Sequence, residues 1–142
     1  MLRYALLHPP LLAALAASGH GGRILIADAN YAHSTNANPR APIIHLNLRP
    51  GMVTADDVLA TLLDAAPVES AFTMRPDDGS DAPMRARFAE LLGPDVPVSA
   101  LARADFYAAC LGPELAATVA TGDQRHYANI LLTLGSRPAD AS

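Results

Sequence analysis

Four consecutive apolar residues, Ile24-Leu25-Ile26-Ala27, stand between a glycine turn, Gly19-His20-Gly21-Gly22, and a polar cluster that begins at Asp28. A strand that is apolar at every position, rather than at alternate ones, must be covered on both faces. The run therefore predicts a strand over 23–28 inside a sheet, with further layers above and below it. In α/β proteins functional groups collect at strand ends and in the loops beside them. His20 and Asp28 flank this strand and are the first candidates. Six extended residues separate their ends by about 17–20 Å. His20 thus reaches Asp28 of its own chain only if the turn folds back.

The rest of the chain supplies the covering layers. Pro9 and Pro10 open a helix, because a first-turn proline lacks only an N–H that the helix does not use. Leu11, Leu12, Leu15 and Ala16 follow at helical spacing, and Gly19 ends it. The fourteen residues 29–42, rich in Asn, Ser and Pro, form a loop long enough to suggest a functional role. A second strand is expected over Ile43 to Leu48, then a Pro50-Gly51 turn. Thr54 reads as a helix N-cap with Asp56 and Asp57 in the favourable first turn, and Val58, Leu59, Leu62, Leu63 and Ala66 as the apolar stripe. Val68 to Met74 is a third strand, residues 75–82 a charged loop, and Pro83 the start of a helix closed by Gly93-Pro94. A short strand over 96–101, a helix over 103–111, and strands over 115–121 and 129–134 complete the order. This alternation predicts a single-domain α/β protein: a three-layer α/β/α sandwich around a largely parallel, mixed sheet.

Composition narrows the function. With 142 residues, 51% hydrophobic and 17% charged, the chain is one compact domain. An apolar fraction this high is also compatible with burial between subunits. A net charge of −4 with ten scattered Lys and Arg offers no nucleic-acid footprint. No apolar run approaches the ~20 residues of a membrane span, and no signal peptide is read at the N-terminus, so a cytoplasmic protein is expected. The single cysteine, Cys110, sits among Ala108, Ala109 and Leu111 and reads as a buried, inert thiol.

The glycine turn is no nucleotide loop, since it follows a helix and precedes a strand, the reverse of the dinucleotide and P-loop order. There is no G-x-S-x-G elbow for a serine nucleophile. Five histidines (His8, His20, His33, His45, His126) lie on separate elements without metal-ligand spacing, so no metal site is assigned. A metal-dependent hydrolase or isomerase built on His20, Asp28 and His33 stays open as an alternative. The remaining groups capable of acid–base work or hydrogen bonding are His20, Asp28, Arg103, Tyr127 and Asn129. Each also has a structural reading, as a turn, cap, surface or core residue.

As an ordered set these residues resemble the ribose pyranase and L-fucose mutarotase family of small bacterial sugar-handling proteins. The matching segments are Gly19-His20-Gly21, Asp28-Ala29, His33-Ser34, Arg103-Ala104-Asp105-Phe106-Tyr107, Thr121-Gly122, Tyr127-Ala128-Asn129-Ile130-Leu131-Leu132 and Gly135. The resemblance implies a sugar mutarotase with no metal and no organic cofactor. In it His20 is the general acid/base, and Asp28, Arg103, Tyr127 and Asn129 bind a free monosaccharide. It further implies a ring-shaped homo-oligomer, typically a decamer, with sites at subunit boundaries. Arg103 favours the fucose type over the ribose type. Two positions depart from the pattern: Gly22, where fucose-type members carry an acid, and Asn30, where a histidine is usual. A sugar-binding oligomer that has lost the chemistry is the alternative that the Gly22 departure supports.

Overall fold

The computed structural model describes residues 1–140. Its elements follow the order α1 (Pro9–Ala17), β1 (Arg23–Ala27), β2 (Ile43–His45), α2 (Ala55–Leu63), β3 (Val68–Met74), α3 (Arg85–Leu92), β4 (Val98–Leu101), α4 (Arg103–Leu111), β5 (Leu115–Ala120) and β6 (Ile130–Leu134). The six strands form one sheet in the order β2-β5-β1-β6-β3-β4. Every neighbouring pair is parallel except those of β6, which runs antiparallel to both β1 and β3. The sheet is thus largely parallel and mixed, as expected.

β1 lies between β5 and β6, and Ile24, Leu25, Ile26 and Ala27 are all fully buried. Its alternate residues enter different cores. Ile24 and Ile26 join Leu11, Val58, Leu59, Leu62 and Phe88, contributed by the three helices α1, α2 and α3. Leu25 joins Tyr31, Ala37, Ala41, Phe106 and Cys110 on the opposite side. The second covering layer therefore consists of one helix, α4, together with the long 29–42 loop. That loop is tied down: the Asn38 N–H donates to the Cys110 carbonyl over 2.9 Å, and its side-chain amide donates to Gly112 O over 3.0 Å. Each fully buried leucine or isoleucine contributes about 1.5–3 kcal/mol relative to exposure. The doubly covered β1–β6 centre is consequently the firmest part of the sheet, and residues at its ends are held by it.

The expected elements shift at several ends. β2 stops at His45 rather than Leu48, because the chain leaves the sheet and folds into a tight turn over 48–52, with Leu48 N donating to Met52 O over 3.0 Å. β4 begins at Val98 and α3 at Arg85, each two residues later than read. Thr54 caps α2 as anticipated, accepting from the Asp57 N–H.

Gly122, just past β5, seals the 48–52 turn onto the sheet. Its N–H donates to Val53 O over 3.1 Å and its carbonyl accepts from Gly51 N over 2.6 Å. A Cβ at this position would overlap the carbonyl oxygens of Arg49 and Met52. Because those obstacles are backbone, Gly122→Ala is expected to destabilise the fold by about 2 kcal/mol. Urea unfolding followed by circular dichroism measures this; an unchanged midpoint would show that the turn yields freely.

Candidate active site

Four of the five sequence-predicted site residues meet at the C-terminal end of β1. Asp28 leaves β1 at its buried end, 4% exposed, and Asn129 sits beside it at the same exposure, immediately before β6. The antiparallel pairing of β1 with β6 creates this adjacency, since it sets Ile26 opposite Ile130. The Asp28 N–H donates to the Asn129 side-chain carbonyl over 2.7 Å. Asp28 Oδ1 in turn accepts from the Asn30 N–H over 2.9 Å. Burial pushes the Asp28 carboxyl above the ordinary aspartate range; the N–H groups of Asn30, Tyr31 and Ala128 and the Asn129 amide pull against it. It is a carboxylate held by dipoles rather than by a cation, with acceptor capacity suited to neutral hydroxyl groups.

Tyr127 and Arg103 form the outer part. Tyr127 adopts a left-handed backbone conformation, φ 58°, uncommon for a residue with a Cβ and typical of functional sites. Arg103, the first residue of α4, donates from one guanidinium nitrogen to the Tyr127 hydroxyl over 3.0 Å and to Asp77 over 2.9 Å. The charge of Asp77, then the Tyr127 hydrogen bond, raises the Arg103 pKa above its usual value. Asn30, Tyr31, Met74, Tyr107 and His126 complete a cavity of about 170 Å³. Ligand pockets usually measure about 300–1,000 Å³. This one is smaller than that range.

His20 lies elsewhere. It stands on the turn before β1, at the opposite end of the strand from Asp28, and the turn does not fold back. The Gly21 N–H is fixed to Leu134 O (2.9 Å) and Gly22 O to the Leu134 N–H (2.8 Å), both at the far end of β6. The five residues of β1 set the two groups about 17 Å apart. His20 opens instead onto a larger cavity of about 550 Å³, whose walls include Leu12, Leu15 and Ala16 of α1. The half-covered apolar face of α1 is accounted for by that opening.

His33 and His45 meet each other edge to face, ring centres 5.8 Å apart. Neither lines the Asp28 cavity. Among the described residues of one chain no group of three or more His, Cys, Asp or Glu is disposed to hold a metal, and His20, Asp28 and His33 do not line one common cavity. Cys110 is fully buried, and burial pushes its thiol up to about 11, the inert state read from its neighbours. No helix among the described residues is long and apolar enough to cross a membrane. Sequence reasoning passed over His126, Met74 and Tyr31 as site walls. His126 and Tyr31 had a usable signal in their closeness to Tyr127 and Asp28; Met74, at the end of β3, had none.

With this geometry in view, the relatives are informative. The model of the RbsD / FucU transport protein family matches residues 1–137. The chain belongs to that family. It is 36% identical over 141 residues to a D-ribose pyranase of Paracidovorax citrulli, spanning 95% of this chain and 98% of the relative. Bacillus subtilis RbsD, solved in complex with D-ribose, superposes with a TM-score of 0.81 at 26% identity, covering 97% of this chain and all of the other. The fucose mutarotase of Streptococcus pneumoniae, solved with L-fucose, gives 0.77 at 27% with the same coverage. Ribose-type and fucose-type proteins thus both stand among the relatives of this chain, and they leave the preference drawn from Arg103 undecided.

Proposed function

We propose that this protein interconverts the ring forms of a free monosaccharide, with His20 as general acid/base and Asp28, Asn129, Tyr127 and Arg103 as the sugar-binding set. The observation that carries the reading is the convergence of Asp28, Asn129, Tyr127 and Arg103 on one small cavity. A buried carboxylate, an amide, a phenol and a guanidinium offer acceptors and donors in the mixture that a polyhydroxylated ring requires. Membership of a family with pyranase and mutarotase members supports the same reading.

The chemistry needs two proton transfers. A base removes the proton from the anomeric hydroxyl while an acid delivers one to the ring oxygen. The C1–O5 bond breaks, leaving an open-chain aldehyde, and rotation about C1–C2 with reclosure yields the other anomer. An imidazole serves both directions because its unperturbed pKa of ~6.5 lies near neutrality. Asp28 and Asn129 hold sugar hydroxyls, Tyr127 lies along the ring, and Arg103 binds neighbouring oxygens. Since His20 and Asp28 of one chain stand a strand apart, the complete site joins His20 of one subunit to the Asp28 cavity of another. This requires a homo-oligomer, for which the family resemblance suggests a decameric ring.

The substrate is L-fucose or a related sugar if Arg103 decides it, and D-ribose if the 36% identical relative does. Saturation-transfer NMR on equilibrated L-fucose and D-ribose tests both at once. Faster anomer or ring-form exchange with either sugar is expected. Sugar binding with exchange at the buffer rate would replace this reading with that of a non-catalytic binding protein.

A further inference from the structure

We propose that Glu69 is the positioning residue for His20, fixing which ring nitrogen exchanges protons with the sugar; this rests on the reading of His20 as the acid/base. Glu69 Oε2 lies 2.7 Å from His20 Nε2, across forty-nine residues of sequence. Both side chains are open to solvent, 45% and 58% exposed. A contact so exposed adds little to stability, so the backbone's effort in building it calls for another explanation.

That effort is visible at β3. Val68 pairs with Leu134 and Ser70 with Thr133, so the ladder slips by one residue and Glu69 is the extra one. A β-bulge re-aims a side chain that regular alternation would direct elsewhere, and bulges gather beside active sites. The histidine turn is fastened to the same stretch of chain. Leu134 bonds Gly21 and Gly22 of the turn, and the next residue, Gly135, bonds Pro67 at the foot of β3 through its N–H (2.9 Å). One end of β6 therefore sets the separation of His20 and Glu69. No carboxylate follows the histidine within the turn itself, where Gly22 already packs closely: a Cβ there would lie 3.1 Å from the Gly19 carbonyl oxygen. The acid comes from β3 instead.

A carboxylate on Nε2 holds the neutral ring in the Nε2–H tautomer and leaves Nδ1 as the basic nitrogen. The anomeric O–H proton then passes to Nδ1, the imidazolium is stabilised by Glu69 while the ring is open, and the Nδ1 proton passes to the ring oxygen. Glu69 stays ionised throughout and does not touch the sugar.

The test uses the full-length oligomer with Glu69→Ala and Glu69→Gln, and reads the His20 ring by ¹⁵N NMR alongside exchange kinetics. Glu69→Ala is expected to turn a predominantly Nε2–H ring into a mixture of tautomers. It should lower kcat about 10-fold with KM changed less than about twofold; Glu69→Gln, which keeps one acceptor oxygen, should fall between. A tautomer ratio that ignores Glu69→Ala, or a kcat within twofold of wild type, would overturn the proposal. The tautomer spectrum reports the pairing independently of activity. If it shifts while His20→Ala still catalyses exchange at the wild-type rate, the failure belongs to the assignment of His20.

Discussion

Replacing His20 with alanine is expected to slow catalysed anomer exchange by at least about 100-fold, the lower range for losing a positioned acid/base. The fold should be untouched, because the side chain is more than half exposed and its carboxylate partner, Glu69, is itself open to solvent. Unchanged circular dichroism with exchange at the buffer rate is the anticipated pair of results. Asp28→Ala should also abolish exchange, through the other half of the site. The two inactive variants then offer a sharper experiment. If each site takes its histidine from one subunit and its aspartate from another, unfolding and reassembling a one-to-one mixture restores sites with both groups intact. Random assembly gives about a quarter of wild-type activity, since one neighbour pair in four combines the right subunits. A mixture as inactive as its parents would show that His20 and Asp28 work within one chain, against the 17 Å separation that β1 imposes. Exchange that survives His20→Ala at full rate would remove the histidine from the mechanism.

Much of the architecture was legible because it rests on local chemistry. The unbroken apolar run at 24–27 announced a doubly covered strand, and the Thr54 cap and the span of α4 were readable from capping and composition. What was hidden depends on pairing between distant residues. Nothing in Ile130–Leu134 says that it inserts antiparallel between β1 and β3, yet that insertion sets Asn129 against Asp28. The early end of β2 follows from the contact of the 48–52 turn with Gly122, seventy residues later in the chain. Glu69 was concealed for the same reason. In a regular strand it reads as one more solvent-facing residue, and only the slipped register against β6 turns it toward His20. The residues proposed to bind sugar were easier, since Tyr127 and Asn129 share one short motif and Asp28 ends the most recognisable strand. His20 was equally plain as a residue, but its separation from the others became geometry only once the turn was seen fastened to Leu134.

Removing the Asp123 carboxylate is expected to cost about 3 kcal/mol, within the range for stripping a buried charge from its partners. Asp123 is 1% exposed and serves three segments at once. Its Oδ2 accepts from the Ala55 N–H (2.8 Å), satisfying an orphan donor at the start of α2. Both oxygens accept from the Arg125 guanidinium, at 2.9 and 2.6 Å, and its own carbonyl accepts from the Ala29 N–H, beside Asp28. Arg125 also reaches Asp56 at 2.6 Å. Burial raises the Asp123 carboxyl, but the bonds from Arg125 and Ala55 outweigh it and the net shift is downward. At Asp56, likewise, hydrogen bonds from Arg125 and Thr54 overcome burial and bring it to about 2. A carboxyl depressed in the folded state stabilises fully above its unfolded value of ~3.9, and the gain is lost as pH falls through the folded value. The wild type should therefore lose stability between about pH 4 and pH 2, and Asp123→Ala should flatten that slope as well as lower the plateau. Urea midpoints across this range test both. The loop that Asp123 anchors also carries Tyr127, so the variant should bind sugar more weakly even where it remains folded. Equal midpoints for variant and wild type at pH 7 would mean that water replaces the carboxylate at no cost, and that the loop bearing Tyr127 holds its shape without it.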